Sequence, residues 1–238
     1  GDFRVFDGGQ LFGAEGAVLK MLLGGVLDGG RAQERADVIG VCVPEDDHVR
    51  AVLEGDDGVL RGASKGTTVL VHSTVQPETV ERLNQTSAEY GVRVVDACVT
   101  GGDTGAASKR LTYMVGAEEA DVPNLAPYFE ASSDQDVVYC GGLGHGCRLK
   151  LAVNTMTYLQ FAAAFESAEL ARASGLPVEL LEKATSANGQ LTPMLQQYLQ
   201  IVKAPSEAIL SEERQTYMRR SMMIAEKDLA WALSLGRK

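Results

Sequence analysis

The sequence contains no uninterrupted apolar run of about 18 residues, so no segment is expected to cross a membrane as a helix. It has no basic stripe either. Its 22 lysines and arginines stand against 32 aspartates and glutamates, a net charge of −10. So acidic a chain is repelled by a phosphate backbone, and nucleic acid is not an expected partner. The four cysteines (42, 98, 140 and 147) form no C-x-x-C pair, and the three histidines (48, 72 and 145) are scattered. Without His/Cys/carboxylate spacing of the metal-binding kind, no metal is expected. The cysteines read as reduced thiols of a cytoplasmic protein. No signal peptide opens the chain, although "GDFRVFD" does not read as a native start. Internal repeats and low-complexity linkers are missing as well. What is there is an apolar fraction of 45% in 238 residues, enough for one large domain or two modest ones.

Residues 1–146 alternate strand and helix. "FRVFD" (3–7) reads as a strand, followed by an apolar-periodic stretch near 11–27. "ADVIGVCVP" (36–44) and "TTVLVHST" (67–74) are continuous apolar runs of the kind found in parallel strands buried on both faces. "PETVERLNQTSAEYG" predicts a helix with Pro77 in its first turn and Gly91 as its stop. The strands "VRVVDACV" (92–99) and "DVVYC" (136–140) flank "RLTYMVG" and a helix, "EEADVPNLAPYFEASS". Such alternation makes a Rossmann-like, doubly wound α/β sheet. Residues 147–238 carry no strand-like run and read as an all-helical domain. Its first helix (147–175) is apolar on most faces, from Leu149 to Leu170, and is expected to be buried between domains or subunits.

The stretch joining the halves is "GGLGHGCRLK" (141–150). Glycines before a lysine suggest a phosphate cradle, but both templates fail. The P-loop needs the lysine directly after the last glycine with Ser or Thr next; here Lys150 comes four residues after Gly146 and Leu151 follows. The pattern G-x-G-x-x-G also fails, and it belongs after the first strand of a sheet rather than the last. What remains is a glycine-rich turn feeding an apolar helix with a lysine in its first turns. Burial penalises a lysine's charged form, which suits a group that exchanges protons. A snorkelling or ion-paired lysine is the plainer alternative. Asn154 lies one turn on, on the same face.

Several stretches together resemble the 3-hydroxyacid dehydrogenases, a family that includes 3-hydroxyisobutyrate dehydrogenase, tartronate semialdehyde reductase and 6-phosphogluconate dehydrogenase. "DACVTGGDTGAASKRLTYMVG" (96–116) is similar to its substrate-binding signature, "GLGHGCRLKLAVN" (142–154) to its catalytic segment G-x-G-x-x-x-K-x-x-x-N, and "AEKDLAWAL" (225–233) to its late K-D-L helix. "VHSTVQPET" (71–79) resembles its S-T-[IV]-x-P turn. The resemblance implies that Lys150 is the catalytic acid/base and that Asn154 orients the substrate. It implies that Thr100, Gly101 and Gly102 hold the carboxylate of a small 3-hydroxy acid, tight turns of this sort presenting N–H groups to an anion. Val43, Pro44, Thr74 and Lys227 would contact the cofactor, with His48 near its edge. Asp7 would accept hydrogen bonds from the adenosine ribose, which favours NAD while leaving NADP possible. The long apolar helix 147–175 in turn invites a homodimer or higher homo-oligomer.

Cys98 stands where the family usually has proline, Thr100 where it has serine, Lys109 where it has glycine, and Val153 where asparagine is common. The family's first strand and its G-x-G-x-x-G turn, where the pyrophosphate rests on a helix N-terminus, are not in this sequence, nor are its usual C-terminal helices. A chain without that turn is expected to hold a dinucleotide poorly. Two further readings stay open: an imine reductase-like NADPH enzyme, against which Lys150 and Asn154 speak, and a non-catalytic interaction module with a dinucleotide fold. His145 reads as a turn residue at the start of the helix, His72 and Tyr158 as packed side chains, and Trp231 as packing for the last helix. Asp228 is a helix-pairing charge or a site residue, and "SEERQ" (211–215) is a solvated helix start.

Overall fold

Strand β1 (Phe3–Phe6) is followed by β2 (Val38–Val41) and β3 (Thr68–Val71), whose residues "VIGV" and "TVLV" are buried at every position. Apart from Thr68 these side chains are apolar, so both faces of the sheet can be covered. The computed structural model describes residues 3–6, 37–135, 137–204 and 211–237. The expectations placed on Asp7 and on the apolar stretch 11–27 fall outside them.

Six strands form one sheet in the sequential order β1 to β6. Strands β1, β2, β3 and β4 (Arg93–Thr100) are parallel. Strand β5 (Thr112–Gly116) runs antiparallel to β4, and β6 (Val138–Gly141) is parallel to β5. Helix α1 (Asp46–Glu54), the short α2 (Val59–Gly62), α3 (Pro77–Ala88), the short α4 (Gly102–Ala107) and α5 (Val122–Ser132) fill the connections. Pro77 sits at the start of α3, where a missing N–H costs nothing. Gly91 follows its end with φ +71°, the left-handed conformation that glycine adopts freely. On one face Leu70, Val95, Tyr113, Val115, Tyr128 and Phe129 form a core.

Beyond Gly141 all described secondary structure is helical: α6 (His145–Ala173), α7 (Val178–Ala187), α8 (Pro193–Lys203) and α9 (Glu212–Gly236). Thr192 and Ser211 cap α8 and α9 by accepting from the amides of Leu195 and Arg214. The chain divides after Leu151 into two units, and α6 passes from one into the other. In the second, Ala168, Val178 and Leu199 form a small core, with Phe161 stacked on Tyr198 at 4.5 Å.

Of the burial expected for α6 between domains or subunits, the chain by itself supplies only part. Met156 and Leu170 are 63% and 69% exposed, and Leu159 and Phe165 are also exposed. The described helices of the second unit are too few to cover every apolar face of a helix this long. No helix among the described residues is long and apolar enough to cross a membrane.

Candidate active site

The end of the glycine-rich stretch is built around a carboxylate. Asp96 lies in the middle of β4, fully buried, and pairs in register with Val71 and Gly116. Its two oxygens accept from the amides of Gly144 (2.7 Å) and Cys147 (2.8 Å) at the start of α6. This is a side-chain cap supplied from the sheet, an acceptor placed at the positive end of the helix dipole. The helix comes so close that a Cβ on Gly146 would lie 2.8 Å from Asp96 Oδ2 and nearer still to the Met114 carbonyl. Gly144 has φ +85°. The amides that would cradle a phosphate are therefore committed to the protein's own carboxylate. Burial pushes the Asp96 carboxyl above its ordinary range, opposed by those same two backbone hydrogen bonds.

Lys150 follows one turn after Gly146 and is half-buried. Neighbouring groups are accounted for. Arg148 pairs with Glu81 at 2.9 Å, and exposed His145 places Nδ1 3.1 Å from the Cys140 carbonyl. Cys98 Sγ donates to the Ser73 carbonyl at 3.3 Å and lies 3.8 Å from Cys147 Sγ, placed to accept from the Cys147 thiol. That hydrogen bond, and then burial, push the Cys147 thiol well above its usual range, so it is no thiolate nucleophile. His72 is buried as expected, with Nδ1 2.8 Å from the Ala97 carbonyl and Nε2 2.7 Å from the Tyr128 hydroxyl. Burial lowers its pKa to about 4, and the neutral ring donates from Nδ1 to Ala97 and accepts from Tyr128.

Thr100, Gly101 and Gly102 form the turn at the carboxyl end of β4. Gly101 and Gly102 have φ +126° and +59°, and both are exposed. Val43 and Pro44 follow β2, and Thr74 follows β3. Because β2, β3 and β4 are parallel, all these residues share the edge at which α/β sheets bind nucleotides and substrates. The Val43 amide donates to Ser73 Oγ at 2.7 Å, tying two of the loops together. Buried Asp46 ties α1 to the start of α3 by accepting from the Gln76 amide (3.1 Å) and the Thr79 hydroxyl. Asp46 Oδ2 and His48 Nδ1 are buried without a hydrogen-bond partner among the described residues. An unpaired acceptor and an imidazole nitrogen there fit the hydroxyl and amide groups of a dinucleotide.

In the second unit, Asn154 is 7% exposed and Asp228 1%. Asn154 Nδ2 donates to Asp228 Oδ2 at 2.5 Å, and the Tyr158 hydroxyl donates to the same oxygen at 3.3 Å. Lys227 Nζ lies 3.2 Å from Asp228 Oδ1 and 4.3 Å from the centroid of the Trp231 ring. Lys227, expected at the cofactor, thus has a carboxylate and an aromatic face beside it. Sequence reasoning assigned no role to Asp46 or Asp96 and left Asp228 undecided. A single carboxylate inside an apolar run, as in "VVDACV", is the signal that finds Asp96; Asp228 follows Glu226 and Lys227 and carries no such signal.

Residues 15–142 match the NAD binding domain of 6-phosphogluconate dehydrogenase. An uncharacterised oxidoreductase of Mycobacterium tuberculosis is 32% identical over 202 residues, 84% of this chain and 68% of the relative. The chain belongs to this family of NAD-binding oxidoreductases. The NAD-dependent L-serine dehydrogenase of Pseudomonas aeruginosa is 32% identical over 150 residues, 63% of this chain, and the match spans 50% of that enzyme. The crystal structure of 3-hydroxyisobutyrate dehydrogenase from Salmonella typhimurium superposes with a TM-score of 0.82, covering 99% of this chain and 87% of that one. At 20% identity, that likeness speaks for a shared fold, a Rossmann-like sheet followed by helices.

Proposed function

We propose that the protein transfers a hydride between NAD and a small 3-hydroxy acid, with Lys150 as general acid/base. The observation that carries this reading is the pair Lys150 and Asn154, one turn apart on a helix whose start is fixed by Asp96. The L-serine dehydrogenase relative points to the substrate class, since serine carries its hydroxyl on the carbon beside the one bearing the amine, a 3-hydroxy acid. When bound, NAD accepts the hydride. Neutral Lys150 Nζ takes the hydroxyl proton as the hydride leaves the carbon; in the reverse direction the ammonium returns it to the forming alkoxide. Thr100, Gly101 and Gly102 hold the carboxylate with a hydroxyl and backbone amides, and Asn154 orients the reacting oxygen. Val43, Pro44, His48 and Thr74 line the cofactor's edge of the sheet, with Asp46 beside them. Asp7, next after β1 in sequence, is acidic and favours the ribose hydroxyls of NAD over a 2′-phosphate. Lys227 contributes positive charge toward the cofactor. The exposed apolar faces of α6 and α9, Met156, Leu170, Met222 and Met223 among them, suit a homo-oligomer in which a second copy covers them.

The test is reduction of NAD and NADP by the full-length protein across a panel of 3-hydroxy acids. Lys150→Met is expected to lower kcat by about 10²–10⁴-fold, the usual contribution of a placed acid/base, with NAD affinity kept. Near-normal turnover in that variant overturns the proposal.

A further inference from the structure

We infer that Asp228 is a positioning residue that fixes which end of the Asn154 carboxamide is offered to the substrate; this rests on the hydride-transfer reading above. A carboxamide has a donor end and an acceptor end of nearly the same shape, and a carboxylate only accepts. Asp228 Oδ2, 2.5 Å from Asn154 Nδ2, therefore selects one of two orientations. The flipped amide would set its carbonyl oxygen against a buried carboxylate oxygen. With Nδ2 committed to Asp228, Asn154 Oδ1 is turned away from it as an acceptor, able to receive a hydrogen from a substrate hydroxyl or an ammonium.

Packing alone does not account for a carboxylate here. An apolar residue would fill the place between α6 and α9 with no desolvation cost. Asp228 is instead 1% exposed and sits among groups that suit an anion: the Asn154 amide, the Tyr158 hydroxyl at 3.3 Å and the Lys227 ammonium at 3.2 Å. Tyr158, one turn beyond Asn154 on α6, holds the same oxygen from a second position. The brace therefore acts on the face of the helix that carries Asn154.

The experiment compares the full-length protein with Asp228→Asn, Asn154→Asp and the exchanged pair Asn154→Asp/Asp228→Asn. The first readout is nuclear magnetic resonance of the Asn154 side-chain NH₂ pair, identified by its disappearance in Asn154→Asp. One of its two protons is expected well downfield and slow to exchange, and Asp228→Asn removes that signature. An Asn154 pair at ordinary amide positions overturns the inference, even if the variants fold poorly. The second readout is steady-state kinetics. Asp228→Asn keeps the shape but lets both amide orientations form, and kcat is expected to fall about 10–100-fold, as for outer-shell partners elsewhere, with KM for the acid little changed. The exchanged pair puts a donor at 228 and keeps an acceptor at 154, and is expected to recover most of that loss. Wild-type kcat in Asp228→Asn, or no recovery in the exchanged pair, also overturns it. Failure of the underlying reading looks different: no 3-hydroxy acid turns over, or Lys150→Met stays active, while the resonance signature still reports whether Asp228 orients Asn154.

Discussion

Each half of the chain buries one carboxylate against α6, and the two are stabilised by different kinds of donor. Asp96, in the sheet unit, accepts from two backbone amides at the start of the helix. Asp228, in the helical unit, accepts from two side chains and has an ammonium beside it. Backbone donors cannot be removed without undoing the helix start, so Asp96 belongs to the fold. Side-chain donors can rotate or be exchanged, so what Asp228 fixes is the aim of Asn154. A buried charge next to backbone reports on architecture, and one next to polar side chains reports on a site.

The largest expected effect breaks the first half of this contrast. Asp96→Ala leaves the amides of Gly144 and Cys147 buried without acceptors, and should cost about 3 kcal/mol of stability. Gly146→Ala should cost about as much, because its Cβ would meet Asp96 and the Met114 carbonyl, neither of which can give way. Urea unfolding measures both. If Asp96→Ala were as stable as the parent while Asp228→Asn unfolded, the two roles would be reversed.

Much of this was legible beforehand, and the reasons differ by element. The buried runs "VIGV" and "TVLV" announce parallel strands because alternation is absent, and Pro77 and Gly91 bracket a helix because of what their backbones permit. "GGLGHGCRLK" was readable as something other than a phosphate cradle by template alone. That Gly146 makes room for Asp96, and that the amides of Gly144 and Cys147 bind it, was not, since the contacts join residues 48 to 51 positions apart. The same holds for Asn154 and Asp228, 74 positions apart. The apolar pattern of α6 left the covering surface open for another reason: it records which faces avoid water, not whether this chain alone covers them. Met156 and Leu170 are exposed here for that reason.

A second test sharpens the picture of the sheet unit as a place where burial outweighs hydrogen bonding in setting protonation. His72 has a folded-state pKa of about 4 against an ordinary 6.5. Between those values the unfolded chain takes up a proton that the folded chain refuses. The stabilisation is complete above pH 6.5 and is lost as the pH falls toward 4. The loss amounts to about 3 kcal/mol at 1.36 kcal/mol per pKa unit. Urea midpoints measured across that window should fall more steeply for the parent than for His72→Gln. Parallel profiles would mean that the imidazole is protonated in the folded protein.

The smallest effect concerns Lys109, the one described non-glycine residue with positive φ, at +54°, in a signature where glycine is usual. A side chain in that conformation costs about 1 kcal/mol, while glycine gives back part of the gain through the freedom of its unfolded chain. Lys109→Gly should therefore stabilise by about 0.5 kcal/mol net. The contact it loses, Lys109 Nζ to the Ala131 carbonyl at 3.4 Å, is exposed and weak. Lys109→Ala loses the same contact and keeps the Cβ, so it should gain nothing. A melting temperature that rises for glycine and not for alanine assigns the effect to backbone geometry. Equal shifts for the two would place it in the lysine side chain, and the sheet unit would then tolerate at this turn what it does not tolerate at Gly146.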